Sequence, residues 1–408
     1  MGVRQSFVAR ARPTVRILLV SMAVLVAACS GGGDEPASPR GANPATGPPI
    51  TVGLINQEDA PVGSFPEVRR SAEAAARYVN EELGGVDGRP LKLETCTTRG
   101  TPESSQACAN QLVGKQPVAV LGGVDLGAAA SLPVLQRAGI PYVGGSPTLA
   151  EELSSPISFM LAGGTVADLL GQADYALNTL KAKRIAAIYV DLPGLLTTVV
   201  QASDVVLRMK GATNVKTVAE RADAADFTAA VTSANNSNPD VIFVVFPAQS
   251  CARIMQAGQA LGVKAKMFYP SACAAQSVVD AAGGGAEGAY FGSAFLPFGD
   301  PSKDVAIWRD RAEGTSVLSQ AGFSTVMNLY QLLREADDVS PAALTERLQD
   351  AKDHANFMSH DYTCDRKQLP LLSSVCNPFV RILQYRNGRF DDVVGQWVTG
   401  AELVRSFS

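Results

Sequence analysis

Two loops of this sequence carry the side chains best suited to contact a small molecule. They lie at 122–127 and 144–148, after the two short apolar runs of the segment 117–148, PVAVLGGVDLGAAASLPVLQRAGIPYVGGSPT. Glycines allow the chain to turn sharply after each run. Loops that follow parallel strands emerge at one edge of a sheet, where open α/β folds bind ligands, so we expect half of a binding site there. The candidate contacts in these loops are Asp125, Leu126, Ser146 and Thr148.

The sequence lacks the common motifs of catalysis and metal binding. It contains no GxSxG elbow, no P-loop and no HExxH, and the glycines of GGVDLG do not form GxGxxG. His354 and His360 are six residues apart, which is too far for one helical face, and no CxxC pair accompanies them. We therefore predict a binding protein rather than an enzyme, with no catalytic residue, no metal site and no cofactor.

Apolar runs alternate with helix-like stretches in a pattern that occurs twice, which predicts an α/β fold with two lobes. The first half contains predicted strands at 50–55, 91–94, 118–121, 140–143 and 158–161, and helices at 66–83, 102–113 and 128–138. The second half contains predicted strands at 185–190, 215–219, 241–246 and 266–269, and helices at 195–209, 226–235 and 251–261. Two such halves imply a cleft between the carboxyl ends of two parallel sheets.

The last part of the chain is expected to pass back between the lobes. A predicted strand at 288–295 precedes a return to the first lobe, where helices are predicted at 323–336 and 341–351. A strand at 379–385 ends in Asn387-Gly388, a pair typical of a hairpin turn. Several connections of this kind make a hinge rather than a flexible linker.

Aromatic and polar residues near other strand ends complete the set of candidates. Phe65 and Phe246 are expected to form apolar walls, since most small ligands contact such walls. Tyr269 is either a further wall or a core residue. Asp191 follows the first strand of the second half and is either a ligand contact or a solvated loop residue.

The first 49 residues predict export and tethering rather than fold. Arginines precede a short apolar run at 17–26, which is below the roughly 20 residues that a membrane helix needs. The closing Val26-Ala27-Ala28-Cys29 resembles the lipobox of bacterial lipoproteins, which implies cleavage at residue 29 and anchoring to the outer face of the cell membrane by a lipidated Cys29. An uncleaved anchor or a simple secretory signal is the alternative. Residues 30–49 are rich in Gly, Pro and Ser and predict a flexible tether.

Cysteine usage agrees with export, and the composition gives no sign of a nucleic-acid partner. Only 18% of the residues are charged, the net charge is −4, and no basic patch points to nucleic acid. Apart from Cys29, six cysteines remain, an even number that predicts disulfides in an oxidising compartment. Sequence neighbours suggest the pairs Cys96–Cys108, Cys251–Cys273 and Cys364–Cys376, although six cysteines permit 15 pairings.

Several segments together resemble a known family. TVGLI, RRSAEAAARYVNEELGGVDGRPLKLE, QLVGKQPVAVLGG, LPVLQRAGIPYVGGSPT, KAKRIAAIYVD and QAGQALGVKAKMFYP are similar to the type I periplasmic binding proteins of the branched-chain amino acid (Leu/Ile/Val-binding) ABC transporter family. The resemblance implies two Rossmann-like lobes with parallel sheets, joined by three crossover segments around a central ligand cleft. It implies a first lobe of residues 50–163 and 292–375 and a second lobe of residues 164–291 and 376–408.

The resemblance also implies a function and partners. Family members close two lobes on a small solute and deliver it to an ABC permease and its ATPase subunits, so we expect a monomeric substrate-binding component of an importer. A receptor domain that uses the same cleft to signal to a partner protein is the alternative.

Individual residues carry over from the family only where they align. Ser146 and Thr148 match a loop that binds the ligand through a carbonyl and a threonine hydroxyl, Phe65 matches an aromatic wall, and Phe246 lies near a second one. The family's acidic partner of the ligand ammonium falls at Ser271, and its carboxylate-binding serines fall in the loop that contains Asp125. These two departures argue against a zwitterionic amino acid in the usual pose. If Asp125 faces the cleft, it favours a cationic or hydroxyl-rich solute; otherwise nearby backbone amides bind it.

Overall fold

The computed structural model describes residues 43–60, 63–191 and 210–405. The predicted signal at 1–29, most of the predicted tether and the predicted helix at 195–209 lie outside these ranges. Within the described ranges, no helix has the length and apolar character that crossing a membrane requires.

The first sheet has five strands, all parallel, in the order β2-β1-β3-β4-β5. They are β1 Ile50–Gln57, β2 Leu91–Thr98, β3 Val120–Gly122, β4 Tyr142–Val143 and β5 Ser158–Phe159. The helices between and after them are α1 Pro66–Glu81, α2 Pro102–Val113, α3 Ala128–Arg137, α4 Ala150–Ser154 and α5 Gly164–Asp174. Val375 extends the sheet beyond β5 through a parallel bridge to Met160.

The second sheet has seven strands in the order β12-β11-β10-β9-β8-β6-β7. They are β6 Arg184–Val190, β7 Thr213–Glu220, β8 Val241–Val245, β9 Lys266–Tyr269, β10 Tyr290–Ser293, β11 Arg381–Arg386 and β12 Arg389–Asp392. Its helices are α6 Thr228–Asn235, α7 Ala248–Ala260 and α8 Gln276–Ala282. β6 to β10 are parallel, and β11 and β12 form the predicted hairpin, with positive φ at Asn387 and Gly388 as a two-residue turn requires.

The chain passes between the two sheets three times, as predicted. It leaves the first sheet after β5, returns after β10 to form α9 Lys303–Arg311, α10 Val317–Arg334 and α11 Pro341–Gln349, and enters the second sheet again at β11. It ends with α12 Ala401–Val404. The lobe boundaries remain a prediction. The predicted boundary assigns Gly292 and Ser293 to the first lobe, whereas both residues pair with β11 in the second sheet.

Two helices of the first lobe form its packed centre. α1 buries Val68, Ala72, Ala75, Ala76 and Val79, the face that the sequence predicts. It packs on α10, where a Cβ at Gly322 would lie 2.1 Å from the Val68 carbonyl oxygen, so only glycine permits this approach. α10 begins six residues earlier than predicted, because the Ser316 hydroxyl accepts the Ser319 N–H and caps it.

The six cysteines form the three predicted disulfides. The Cα–Cα distances are 5.5 Å for Cys96–Cys108, 6.0 Å for Cys251–Cys273 and 4.4 Å for Cys364–Cys376.

The predicted tether is wrong at its carboxyl end. The backbone N–H groups of Asn43 and Ala45 donate to the carbonyls of Glu81 and Asn80, and Gly47 donates to Gly88. These bonds fasten residues 43–47 to the end of α1 and the following turn, because a polar segment can be ordered by backbone hydrogen bonds without burying apolar side chains.

Candidate functional site

A cavity lies between the carboxyl ends of the two sheets, where the doubly wound topology predicts a ligand. The lining residues from the first-sheet side and α10 are Phe65, Val124, Leu126, Ser146, Thr148 and Leu318. The lining residues from α5 and the second-sheet side are Gly164, Thr165, Val190, Val245, Phe246, Pro247, Pro270, Ser271 and Ala272. The cavity volume is about 80 Å³. Its walls are largely apolar, with a few hydroxyl groups between them.

The loop after β3 is positioned by two buried amides at the end of β1. The Asn56 Oδ1 accepts the Val124 N–H at 3.3 Å, and the Gln57 Oε1 accepts the Leu126 N–H at 3.1 Å. Asn56 also donates to the Phe65 carbonyl at 2.8 Å, so the same side chain positions the aromatic wall. These bonds hold Val124, Leu126 and Phe65 together on one side of the cavity.

The loop after β4 is fastened by the buried carboxylate of Glu152. Its Oε2 accepts the N–H groups of Thr148 and Leu149 at 2.9 and 3.1 Å, and its Oε1 accepts the Tyr142 hydroxyl at 3.1 Å. Burial is the largest influence on this carboxyl and raises the pKa of Glu152 to about 8, against hydrogen bonds that lower it. The Thr148 Oγ1 is buried and has no hydrogen-bond partner in the described part of the chain.

A close backbone contact joins this loop to the start of α5. Gly164 has a φ of +59°, and a Cβ there would lie 2.2 Å from the Pro147 carbonyl oxygen. Any other residue would both strain the backbone and push the loop away. The contact places Thr148 and Thr165 on the same cavity.

The second-sheet wall consists of two loops joined by a disulfide. Phe246 and Pro247 follow β8, and Pro270 to Ala272 follow β9. A disulfide joins Cys251, in the first turn of α7, to Cys273, which directly follows Ala272, and both sulfurs lie 3.7 to 3.8 Å from the Phe246 carbonyl oxygen. Phe246 packs edge-on against Phe227 with ring centroids 5.3 Å apart, which fixes the orientation of the wall.

The structure brings six of the eight predicted contact residues together around the cavity: Phe65, Leu126, Ser146, Thr148, Phe246 and Ser271. Tyr269 does not line the cavity and is a core residue stacked on Phe291. The remaining two, Asp125 and Asp191, lie outside the lining.

The placement of Asp125 differs from a ligand contact. Its side chain is 0% exposed and accepts hydrogen bonds from the hydroxyls of Thr98 and Ser105 and from the Gly127 N–H. Burial raises the pKa of Asp125. Two of its donors are hydroxyls of distant residues, so the expectation of backbone amides alone is also incomplete.

Asp191 is exposed, and its N–H donates to the Glu220 carbonyl at 2.8 Å, which continues the ladder between β6 and β7. Asp191 is therefore a solvent-exposed residue at the end of β6 and is not part of the cavity lining.

The sequence patterns miss the contributions of α5 and α10. Gly164 and Thr165 were not among the candidates because the helix that they begin was not predicted, although Gly163-Gly164 marks the end of a strand. Leu318 lies in the first turn of α10, and the Ser316 cap is the signal that could have identified it. Within the ranges that the structure describes, no group of three or more His, Cys, Asp and Glu side chains could hold a metal ion.

The chain is similar to known bacterial binding proteins. It is 28% identical over 200 residues to the Leu/Ile/Val-binding protein homolog 3 of Brucella melitensis, a match that covers 48% of this chain and 53% of that protein. The chain thus spans about half the length of the curated relatives it matches.

Solved structures share the fold. The ABC transporter substrate-binding protein from Sphaerobacter thermophilus superposes with a TM-score of 0.73 at 18% identity, over 87% of this chain and 99% of that one. A second structure is the branched-chain amino acid transporter substrate binding protein LivJ from Streptococcus pneumoniae in complex with isoleucine. It superposes with a TM-score of 0.70 at 16% identity, over 86% of this chain and 99% of that one. These likenesses confirm the predicted α/β fold. The family model for periplasmic binding proteins matches residues 49–370. Because this match covers well over half of its length, the chain belongs to the periplasmic binding protein family.

Proposed function

We propose that this protein is the substrate-binding component of an ABC importer and captures one small solute between its two lobes. The observation that carries the proposal is the cavity at the carboxyl ends of both sheets, whose lining includes Thr148. The Thr148 hydroxyl is buried, and no described residue bonds to it. A buried polar group without a partner is costly, so a solute that bonds to this hydroxyl offsets that cost.

The cavity favours a small solute with an apolar body and a polar end. Leu126, Val190, Val245, Phe246 and Leu318 supply aliphatic and aromatic walls. One relative is named a Leu/Ile/Val-binding protein homolog, and the structure of another protein of this fold contains isoleucine. We infer a branched-chain amino acid or a molecule of the same size and shape. Asp125 does not oppose an amino acid ligand, since its carboxylate is outside the lining.

Capture is proposed to proceed by closure of the two lobes. The lining is shared between loops of the first sheet and loops of the second, so a solute that contacts both walls binds the closed form more tightly than the open form. A ligand shifts such an equilibrium only by this difference in affinity. The three passages of the chain between the sheets provide the hinge.

The remaining parts of the proposal concern the location and partners of the protein. Export and a lipid anchor at Cys29 would hold the binding body at the outer face of the cell membrane, next to a permease and its ATPase. We expect the protein to act as a monomer, since one chain supplies both walls of the cavity.

Solute retained by the purified protein tests capture directly. Mass spectrometry of material released on denaturation should reveal a small solute, and thermal unfolding should shift upward with leucine, isoleucine or valine and not with glutamate or glucose. Absence of a shift with every compound in a broad metabolite panel would contradict solute capture. Loss of uptake of the identified solute on deletion of the gene would distinguish transport from signalling by a receptor.

A further inference from the structure

A buried carboxylate lies directly behind the second-sheet wall of the cavity. Asp168, on α5, is 1% exposed, and its Oδ2 accepts the Ser271 backbone N–H at 3.1 Å. Hydrogen bonding from the Ser271 side chain also lowers the pKa of this carboxyl group. Ser271 itself lines the cavity, so the carboxylate lies one residue behind the lining.

The acceptors behind this wall outnumber the donors. The Asp168 Oδ1 is buried without a hydrogen-bond partner among the described residues. One helical turn later, Gln172 donates to the Tyr269 carbonyl at 2.7 Å, while its own Oε1 is also buried and unpartnered in the described ranges. Gly164, Asp168 and Gln172 are spaced by four residues and share a face of α5, and Gly164 lines the cavity. This face of α5 therefore carries two buried acceptors without partners among the described residues.

Among the described residues, no Lys or Arg side chain pairs with the Asp168 carboxylate. Burial is the largest influence on its pKa and raises it to about 6, against hydrogen bonding from Ser271 that lowers it. The backbone of β10 covers the other side, since a Cβ at Gly292 would lie 3.0 Å from the Asp168 side chain. A buried carboxylate is stabilised by a cation or by N–H donors.

We propose that Asp168 selects, through Ser271, a solute whose polar end carries N–H donors, as an ammonium or amide group does. The Ser271 hydroxyl donates to Asp168 and so turns its lone pairs toward the cavity, where they accept a hydrogen bond from the solute. The negative charge behind the hydroxyl attracts a cation and repels an anion. Asp168 is thus a positioning residue, and Ser271 makes the contact. This proposal rests on the proposed function, which requires only that some small solute is bound.

Three probes with the same branched hydrocarbon body test recognition of the ammonium and of the carboxylate separately. Leucine carries both charged groups, isoamylamine keeps only the ammonium, and isocaproate keeps only the carboxylate. Binding of each to the wild-type protein, Asp168→Asn and Ser271→Ala is measured by calorimetry at a pH above the pKa of Asp168. We expect Asp168→Asn to weaken leucine and isoamylamine by about ten-fold or more, as for loss of one charged hydrogen bond. Isocaproate should bind the variant equally well or more tightly.

Asp125→Asn is the matched control, because it alters a buried carboxylate that supports the opposite wall. Its effect should be similar for all three probes. Ser271→Ala should reduce the preference for the amine while leaving the Asp168 carboxylate in place. This variant therefore tests whether Asp168 acts through Ser271, even if Asp168→Asn unfolds.

The outcomes separate this proposal from the proposed function. A uniform loss for all three probes with Asp168→Asn, or wild-type protein that prefers isocaproate to isoamylamine, overturns the selective role and leaves solute capture standing. If the protein binds solutes that have no N–H group and does not bind amines, the selective role is also overturned and solute capture still stands. Binding of no solute at all overturns both.

Discussion

Replacing Thr148 by valine should stabilise the ligand-free protein and weaken solute capture at the same time. The substitution keeps the shape of the side chain and replaces one hydroxyl by a methyl group. That hydroxyl is buried at the cavity, and no described residue bonds to it, whereas the Thr148 N–H is already satisfied by Glu152. A purely structural hydroxyl would have a protein partner, and its removal would then destabilise the protein.

The two effects have magnitudes that can be measured. An unsatisfied buried hydroxyl costs about 1 to 3 kcal/mol, so its removal should raise the free energy of unfolding by about 1 kcal/mol. For a chain of this length that corresponds to a rise of about 1 °C in the melting temperature. Loss of a hydrogen bond to the solute should cost about 1 to 2 kcal/mol, which is about five- to thirty-fold in Kd.

Two measurements on three proteins test this pair of effects. Thermal or urea unfolding of the ligand-free wild type and Thr148→Val gives the stability, and calorimetry with the solute that the wild type retains gives the affinity. Thr148→Ser keeps the hydroxyl and should bind almost as tightly as the wild type. A valine variant that is less stable and binds normally would refute the reasoning, because the hydroxyl would then serve the fold and not the ligand.

Three further perturbations test the supports of the cavity. Replacing both Cys251 and Cys273 by alanine should lower the free energy of unfolding by about 3 kcal/mol, as loop entropy predicts. It should also weaken binding in calorimetry, since the disulfide connects the two wall segments that follow β8 and β9. Unchanged affinity would show that these segments keep their positions without the disulfide. Gly164→Ala should reduce affinity more than Gly139→Ala, which has a similar φ but open space around it, and equal effects would argue against the close approach to Pro147. Urea unfolding should show that the free energy of unfolding falls between about pH 5 and pH 8, by up to about 1.4 kcal/mol per pH unit. In this range folded Glu152, with its pKa raised from 4.5 to about 8, holds a proton that the unfolded chain releases. Glu152→Gln should flatten this slope, and an unchanged slope would assign it to other groups.

The sequence predicts the site best where backbone topology alone decides it. Ser146 and Thr148 follow a short apolar strand, and parallel strands deliver the residues that follow them to one edge. Phe246 follows the unbroken apolar run of β8 for the same reason. Each of these residues lines the cavity. The ligand-binding role of each is still a prediction.

The sequence predicts the direction of a loop side chain poorly. Asp125 occupies the expected loop, but its carboxylate turns toward Thr98 and Ser105, which belong to β2 and α2 and are brought close only by the tertiary fold. Leu318 was missed for a related reason. The apolar pattern of α10 is strongest after Phe323, while the helix start is set by the Ser316 cap, a local signal that periodicity does not contain.

Asp125, Glu152 and Asp168 share one structural role, which explains why acidic residues near strand ends are poor predictors of contacts here. Each is buried and accepts a backbone N–H from a loop that includes cavity-lining residues: Gly127, Thr148 with Leu149, and Ser271 respectively. Burial raises the pKa of all three carboxyls. Loops fastened in this way are ordered before the solute arrives, so binding costs less conformational entropy. Solute therefore meets hydroxyls and apolar walls, and any selection by charge must act from the layer behind them.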